Sequence, residues 1–117
     1  MKTTRRTVLQ LAGGAAFALA APAIITTRAQ AANKRIAMIV KNLGNSYFDA
    51  CANGANEAAK ELGGIEIIYT ASAKPTAEEQ IAVIDAQIAQ KVDGIIVSAN
   101  DADALVPVGK KAAERGI

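Results

Sequence analysis

The sequence predicts an α/β fold in which a parallel β-sheet carries helices on both faces. Three apolar runs of β type occur at near-equal spacing, over residues 36–40, 65–69 and 94–98, and each is followed by a helical pattern. The runs are continuously apolar rather than alternating, which is typical of strands buried on both faces of a parallel sheet. Right-handed β–α–β crossovers then favour the strand order 2-1-3.

Each helical pattern places its apolar residues on one stripe, which is the face that packs on a sheet. The second helix is predicted to begin after Thr76, because Thr76 and Glu79 have the spacing of a capping box. The third helix is predicted over residues 103–115, with Pro107 tolerated near its first turn. The stripes are Phe48, Ala52, Ala55, Ala59 and Leu62 in the first helix, Ala77, Ile81, Ile84 and Ile88 in the second, and Leu105, Val108 and Ala112 in the third.

Residues 1–31 have the pattern of an export signal. Arg5 and Arg6 precede an apolar run rich in alanine and glycine over residues 11–25, and Ala29 and Ala31 supply the small residues that a signal peptidase needs. Paired arginines indicate the twin-arginine route, although Val8 stands where that pattern commonly has phenylalanine. A retained membrane anchor is the alternative, but the run is weakly apolar for a permanent span. A globular part is therefore predicted over residues 32–117.

Outside this segment the charges nearly balance. Four of the thirteen basic residues lie within the first thirty positions, so nine basic residues remain against eleven acidic ones, a formal charge of −2. The remaining lysines are dispersed, which leaves no basic face for nucleic acid. We therefore expect no nucleic-acid partner.

The loop between the first strand and the first helix predicts a site for a small polyhydroxylated molecule. Such a molecule needs directional hydrogen bonds and a flat apolar surface. In the order 2-1-3 the loops over residues 41–45, 70–74 and 98–101 emerge at one carboxyl edge, where open α/β sheets bind ligands. The candidates are the cation Lys41, the amides Asn42 and Asn45, the rings Tyr47 and Phe48, and, from the third loop, Asn100 and Asp101.

Most of these residues also have a structural alternative. Asp101 and Asn45 stand where a helix N-cap is expected, so each can serve a backbone NH group instead of a ligand. Phe48 fits the core stripe, whereas Tyr47 falls off it and is better placed to face a ligand. Lys41 has the alternative of a solvated loop lysine. Asn42 and Asn100 are the weaker candidates.

Three blocks of sequence together resemble the amino-terminal lobe of periplasmic sugar-binding proteins of ABC importers, in the ribose-binding class. The blocks are IAMIVKNLGNSYF at 36–48, GANEAAKELG at 54–63 and DGIIVSANDADAL at 93–105. Within this class the chain looks most like the rhamnose and autoinducer-2 binding branch, in which a lysine follows the first strand as Lys41 does here. The resemblance extends over residues 34–117 and implies a type I periplasmic binding lobe, of which this chain would hold the first three βα units as an amino-terminal fragment.

The resemblance also implies a function. Such proteins have two lobes that close on a sugar and deliver it to a membrane permease in the periplasm, so any membrane contact would be through the transporter or an uncleaved leader. By position, it assigns sugar contacts to Asn45, Tyr47, Phe48 and Asp101, and a branch-specific role to Lys41. Ser46 stands where ribose binders often have proline, and Tyr47 where they have phenylalanine, which leaves the identity of the sugar open.

We expect a binding protein rather than an enzyme, without metal or cofactor. The chain has no histidine, and the single Cys51 has no partner for catalysis or for an intramolecular disulfide; a small buried role is favoured over a reactive thiol. A secreted cofactor-binding oxidoreductase is the alternative, but residues 41–46 lack the Gly-x-Gly-x-x-Gly turn. A sugar-sensing input protein for a chemoreceptor or kinase remains open.

Overall fold

The computed structural model describes residues 33–117, so the predicted export signal at 1–31 lies outside the described residues. Strands and helices alternate along the described chain, which confirms the predicted α/β class. Their bounds are β1 Lys34–Val40, α1 Ser46–Leu62, β2 Ile65–Ala71, α2 Ala77–Ala89, β3 Gly94–Val97 and α3 Val106–Glu114.

The three strands form one parallel sheet in the order β2-β1-β3, which confirms the predicted order. β1 lies in the centre, with Val40 opposite Ala71 of β2 and Ile39 opposite Val97 of β3. All three strands therefore end at the same carboxyl edge. β2 continues to Ala71, so the second loop at this edge begins two residues later than predicted.

Helices cover both faces of the sheet. Alternate residues of β1 point to opposite faces, so each face has its own core cluster. Met38 and Val40 form one core cluster with Ala52 of α1. Ala37 and Ile39 belong to a second cluster on the opposite face, built with residues of α2 and α3. The core thus has two layers, and the apolar stripes of α2 and α3 face it as predicted.

The stripe of α1 is shorter than predicted. Its middle alanines, Ala52 and Ala59, are buried, but Leu62 is 75% exposed. Leu62 is the last residue of α1, and its side chain borders an apolar groove with Ile36 and Ile96 that no described element covers. The periodicity identified the helix face correctly, but Leu62 at the end of this face borders the open groove and is not packed.

The start of α3 was predicted at residue 103 but lies at Val106. Residues 101–105 form turns, and the NH group of Val106 donates to the carbonyl oxygen of Asp103 at 3.2 Å. A helix that began at Asp103 would place the ring of Pro107 against the carbonyl group four residues earlier. Starting at Val106 puts Pro107 in the first turn, where that clash does not arise.

The predicted start of α2 is confirmed, but only half of its capping box forms. Thr76 is the N-cap, and its Oγ1 accepts from the NH group of Glu79 at 3.4 Å. The NH group of Thr76 donates instead to the carbonyl oxygen of Lys74 at 2.9 Å. Because the turn before the helix already uses this donor, the reciprocal bond from the Glu79 side chain is not needed.

Candidate functional site

The loops that follow the three strands meet at the carboxyl edge, and we call residues 41–45, 72–76 and 98–105 the rim. The NH group of Ser98 donates to the carbonyl oxygen of Ile39 at 3.0 Å, which holds the third loop beside the central strand. Nδ2 of Asn100 lies 3.4 Å from the carbonyl oxygen of Thr76, which links the third loop to the second. Segments far apart in sequence are therefore neighbours at the rim.

An open cavity of about 240 Å³ lies next to the rim, between the first turns of α1 and the end of β3. It is lined by residues 38–40 of β1, by residues 96–98 at the end of β3 and just after it, and by Tyr47, Phe48 and Cys51 of α1. The rings of Tyr47 and Phe48 meet edge to face, with centroids 5.3 Å apart and planes at 75°. This is a favourable aromatic geometry, and it gives the cavity an aromatic wall. We call it the aromatic cavity.

The two rings of this wall differ in burial. Tyr47 is 69% exposed, in agreement with its position off the apolar stripe. Phe48 is half-buried and packs against the core cluster of Met38, Val40 and Ala52 while also lining the aromatic cavity. The packing alternative and the ligand alternative for Phe48 are thus compatible, since the same ring packs on the core and lines the aromatic cavity.

Asn45 is the N-cap of α1, which is the structural alternative foreseen for it. Its Oδ1 accepts from the NH group of Tyr47 at 3.0 Å. This bond fixes the orientation of the Asn45 amide, and no described residue accepts a hydrogen bond from Nδ2. The amide therefore keeps a donor for a ligand at the start of α1.

Lys41 and Asn42 lie on the rim but outside the aromatic cavity. Both are exposed, and Lys41 forms no ion pair with a carboxylate of the described residues. Nδ2 of Asn42 is 3.4 Å from the carbonyl oxygen of Leu43, a long contact. The ammonium group of Lys41 is therefore exposed to solvent.

Asp101 caps a turn rather than the third helix. Its Oδ1 accepts from the NH group of Ala104 at 2.9 Å, whereas the N-cap of α3 is Leu105, which has no side-chain cap. Asp101 is exposed on the rim and does not line the aromatic cavity. No described residue donates to its Oδ2, so this carboxylate oxygen is available to a ligand hydroxyl.

Sequence reasoning missed Gln80, the polar residue most closely tied to the rim. Gln80 lies on α2 and is 0% exposed. Its Nε2 donates to the carbonyl oxygen of Ser98 at 2.9 Å, and its Oε1 accepts from the NH group of Asn100 at 2.8 Å. The available signal was its position, because Gln80 lies three residues after Ala77 and four before Ile84, on the core stripe of α2.

Cys51 was predicted to be buried, and this prediction is wrong. The side chain is exposed and lines the aromatic cavity. Cys51 precedes Ala52, the buried stripe residue, and a step of one residue turns a side chain about 100° around a helix, away from the core.

A side-chain hydrogen bond holds the start of α1 against β2. The hydroxyl of Tyr69 donates to Oδ1 of Asp49 at 3.0 Å. Burial, followed by this bond and the nearby negative charge of Asp49, raises the pKa of Tyr69 above its ordinary value. Because Asp49 directly follows Phe48, this contact fixes the part of α1 that carries the aromatic wall.

Residues 33–117 lack two features that would indicate other functions. Over this part of the chain no cluster of three or more histidine, cysteine, aspartate or glutamate side chains is arranged to hold a metal ion. Over the same residues no helix has both the length and the apolar character required to cross a membrane.

Comparison with known proteins relates this geometry to one family. The model of the "Periplasmic binding protein domain" matches residues 36–117. Among curated proteins, the D-ribose/D-allose-binding protein of Pseudomonas aeruginosa is 34% identical over 85 residues, which are 71% of this chain and 27% of that protein. The chain thus spans about a quarter of the length of this relative.

Solved structures are similar over the same part of the chain. The ABC transporter periplasmic solute binding protein from Actinobacillus succinogenes 130z with bound D-allose is 38% identical, with a TM-score of 0.66 over 71% of this chain and 29% of that one. The solute binding protein from Clostridium phytofermentas with bound L-rhamnose is 37% identical, with a TM-score of 0.66 over 74% and 27%. LsrB from Clostridium saccharobutylicum in complex with AI-2 is 28% identical, with a TM-score of 0.66 over 71% and 25%.

Proposed function

Since the chain belongs to the family of the periplasmic binding protein domain, we propose that it supplies a sugar-binding lobe of an exported solute-binding protein. The ligand is a monosaccharide or a related small polyol of rhamnose-like or autoinducer-2-like type. The protein delivers it to the membrane permease of an ABC-type importer and does not catalyse a reaction. The observation that carries this proposal is the aromatic cavity, which opens beside the polar groups of the rim.

The chemistry of the site suits such a ligand. A sugar presents apolar ring faces made of C–H groups, which suit the faces of Tyr47 and Phe48. It also presents hydroxyl groups that both donate and accept, and Oδ2 of Asp101 and Nδ2 of Asn45 offer complementary groups. Once a closed protein excludes water from these groups, a ligand without one of the hydroxyls would leave a polar group unpaired, at a cost of roughly 1–3 kcal/mol. That cost is sufficient for discrimination between sugars.

Closure over the rim would strengthen this recognition. The rim groups Lys41, Asn45 and Asp101 are solvent-accessible in this lobe, so each bond to a sugar would compete with water. Periplasmic binding proteins close two domains around a ligand by a hinge motion. Exclusion of water lowers the local dielectric and makes every hydrogen bond to the sugar stronger.

The relatives support the ligand class. The similar structures hold D-allose, L-rhamnose and AI-2 as bound molecules. These are small, uncharged and rich in hydroxyl groups, in keeping with a near-neutral lobe. They differ from one another in ring and hydroxyl pattern, so they support the class of ligand and not one member of it.

Export by the twin-arginine route and function in the periplasm are part of the same proposal. Residues 1–31 would be removed, and residues 32–117 would form part of the amino-terminal lobe. Replacement of Arg5 and Arg6 by lysine tests the route, since the double variant is expected to accumulate in the cytoplasm as the uncut precursor. Normal appearance of the double variant in the periplasm would contradict it.

Calorimetric titration of the complete gene product tests the binding function. The panel contains L-rhamnose, D-allose, D-ribose, D-arabinose and autoinducer-2, with NADH as the probe for the oxidoreductase alternative. We expect one or more of the sugars or autoinducer-2 to bind in the micromolar range or tighter. Binding of NADH with no response to any sugar would support the oxidoreductase instead.

A further inference from the structure

We infer that Gln80 is a positioning residue that holds the third rim loop in its ligand-binding shape. This inference rests on the proposed function, because it assigns Gln80 a part in sugar binding without direct contact to the sugar. It concerns a residue of α2 that does not line the aromatic cavity.

The side-chain amide of Gln80 acts as a clamp on the backbone. Its Nε2 donates to the carbonyl oxygen of Ser98, and its Oε1 accepts from the NH group of Asn100, at 2.9 and 2.8 Å. The two backbone groups flank Ala99, so one side chain fixes both ends of a three-residue segment. The Gln80 side chain is fully buried, so water does not compete for its amide in either bond.

The clamped segment connects the aromatic cavity to the rim carboxylate. Ser98 lines the aromatic cavity, and Asp101 directly follows Asn100. The position of the Asp101 carboxylate relative to the cavity therefore depends on the path of residues 98–100. The sheet holds only the first of these residues, through the bond from Ser98 NH to Ile39. Beyond that bond the path is held by the two bonds to Gln80, by the longer contact of Asn100 Nδ2 with the carbonyl oxygen of Thr76, and by packing of Ala99 on the core.

Core packing alone does not explain a glutamine at this position. Gln80 shares its helix face with the buried residues Ile84 and Ile88, and an apolar side chain of similar length would fill the space without the cost of burying an amide. The amide is accounted for by the two backbone groups that it satisfies.

Gln87 provides a matched comparison within the same helix. It is also a glutamine on α2 and is 8% exposed, but its buried Oε1 has no hydrogen-bond partner. A buried glutamine of α2 is therefore not necessarily a clamp. Gln80 and Gln87 share residue type, helix and burial, and they differ in contact with the rim.

The test compares three variants of the complete gene product, Gln80→Met, Gln87→Met and Gln80→Glu. Affinity for the sugar identified by the panel is measured by calorimetry well below the melting temperature of each variant, and amide hydrogen exchange follows Asn100. We expect Gln80→Met to weaken binding at least tenfold and to accelerate hydrogen exchange of the Asn100 backbone NH group. The affinity of Gln87→Met should stay within twofold of that of the unmodified protein.

Gln80→Glu adds a readout that loss of packing would not produce. A protonated glutamic acid has one OH donor and one carbonyl acceptor, the same pair that the glutamine amide presents. A carboxylate cannot donate to the Ser98 carbonyl group. Gln80→Glu is therefore expected to bind weakly at pH 8 and to recover affinity toward pH 5, relative to the unmodified protein and Gln80→Met at the same pH values.

The possible failures are distinguishable. If the unmodified protein binds no member of the panel, the proposed function fails and the role of Gln80 fails with it. If the unmodified protein and Gln80→Met bind equally well, only the role of Gln80 is overturned. Should Gln80→Met not fold, the exchange rate of Asn100 in the unmodified protein decides: protection supports the clamp, and exchange as fast as in an unstructured peptide overturns it.

Discussion

The hydroxyl of Tyr69 on β2 donates a hydrogen bond to Oδ1 of Asp49 on α1, across 3.0 Å. Asp49 lies in the first turn of α1, where its negative charge also interacts favourably with the positive end of the helix dipole. The bond joins the second strand to the helix turn that presents Tyr47 and Phe48. A contact inside the lobe therefore sets the position of the aromatic wall.

Removal of the Tyr69 hydroxyl should weaken the attachment of the start of α1 to β2 without creating a cavity in the core. Tyr69→Phe keeps the ring and deletes the donor, so we expect lower stability and a smaller loss of sugar affinity than deletion of the Tyr47 ring. Denaturant unfolding and calorimetry measure the two effects. Equal stability of Tyr69→Phe and the unmodified protein would show that solvent replaces the bond at no cost.

The same hydrogen bond makes stability depend on pH at the alkaline end. The pKa of Tyr69 is raised above its ordinary value of about 10, so the fold favours the neutral phenol. The stabilisation is fully present below about pH 10 and is lost as the pH rises through the raised pKa of the folded protein. The difference in unfolding free energy between the unmodified protein and Tyr69→Phe should be constant from pH 7 to 9 and shrink above 10. A difference that grew with pH would have the wrong sign.

Two substitutions at Asp101 separate its two roles. Asp101→Ala removes both the turn cap and the ligand acceptor, so it should cost about 1 kcal/mol of stability and reduce sugar affinity at least tenfold. Asp101→Asn keeps an Oδ1 acceptor for the Ala104 NH group but removes the negative charge. We expect it to retain stability and still lose affinity. If both variants change stability alone, Asp101 is only a cap.

The aromatic wall should respond differently at its two rings. Tyr47 is exposed, so Tyr47→Ala should change the unfolding free energy by less than about 0.5 kcal/mol while weakening sugar binding roughly tenfold. Phe48 packs on the core, so Phe48→Ala should also lower stability, by roughly 1–3 kcal/mol. Unchanged sugar affinity of a folded Tyr47→Ala protein would remove Tyr47 from the site.

The ion pair between α2 and α3 should matter little. Nζ of Lys111 lies 2.7 Å from Oδ1 of Asp85, but the two side chains are 48% and 41% exposed. Exposed pairs contribute about 0–1 kcal/mol and are screened by salt. Lys110 is the exposed neighbour of Lys111 and serves as the control. The unfolding free energies of Lys111→Met and Lys110→Met should therefore agree to within about 0.5 kcal/mol in 0.15 M salt. A much larger loss for Lys111→Met would indicate a packing role for its aliphatic chain.

The sheet and its order were predictable because they depend on patterns that the chain repeats. Continuous apolar strands and stripes spaced by three and four residues define the faces to be buried, and the handedness of the crossovers leaves few alternatives. The start of α3 was less predictable. The turn pattern of residues 101–105 depends on two features together: the hydrogen bond that the Asp101 carboxylate accepts from the NH group of Ala104, and the ring of Pro107.

That the three loops meet at one edge was predictable, but the side-chain contacts that hold them there were not. Residue type and strand order indicate the rim, and the exposed position of Tyr47 follows from periodicity. Gln80 could not be linked to Ser98 and Asn100 from sequence, because that contact joins residues about twenty positions apart through a side-chain conformation. Cys51 shows the reverse error, since a small apolar residue was assumed to be buried when its helix position faces outward.

The two polar anchors at the carboxyl edge are independent of each other. One ties α1 to β2 through Tyr69 and Asp49, and the other ties the third rim loop to α2 through Gln80. Neither hydrogen bond uses the side chains proposed to contact the ligand, which are Tyr47 and Phe48 in the first segment and Asp101 in the second. Substitution of the proposed ligand-contacting side chains in one segment would therefore leave the hydrogen bond of the other segment in place. Under the proposed function, ligand specificity could change by a few such substitutions without a change in the interior.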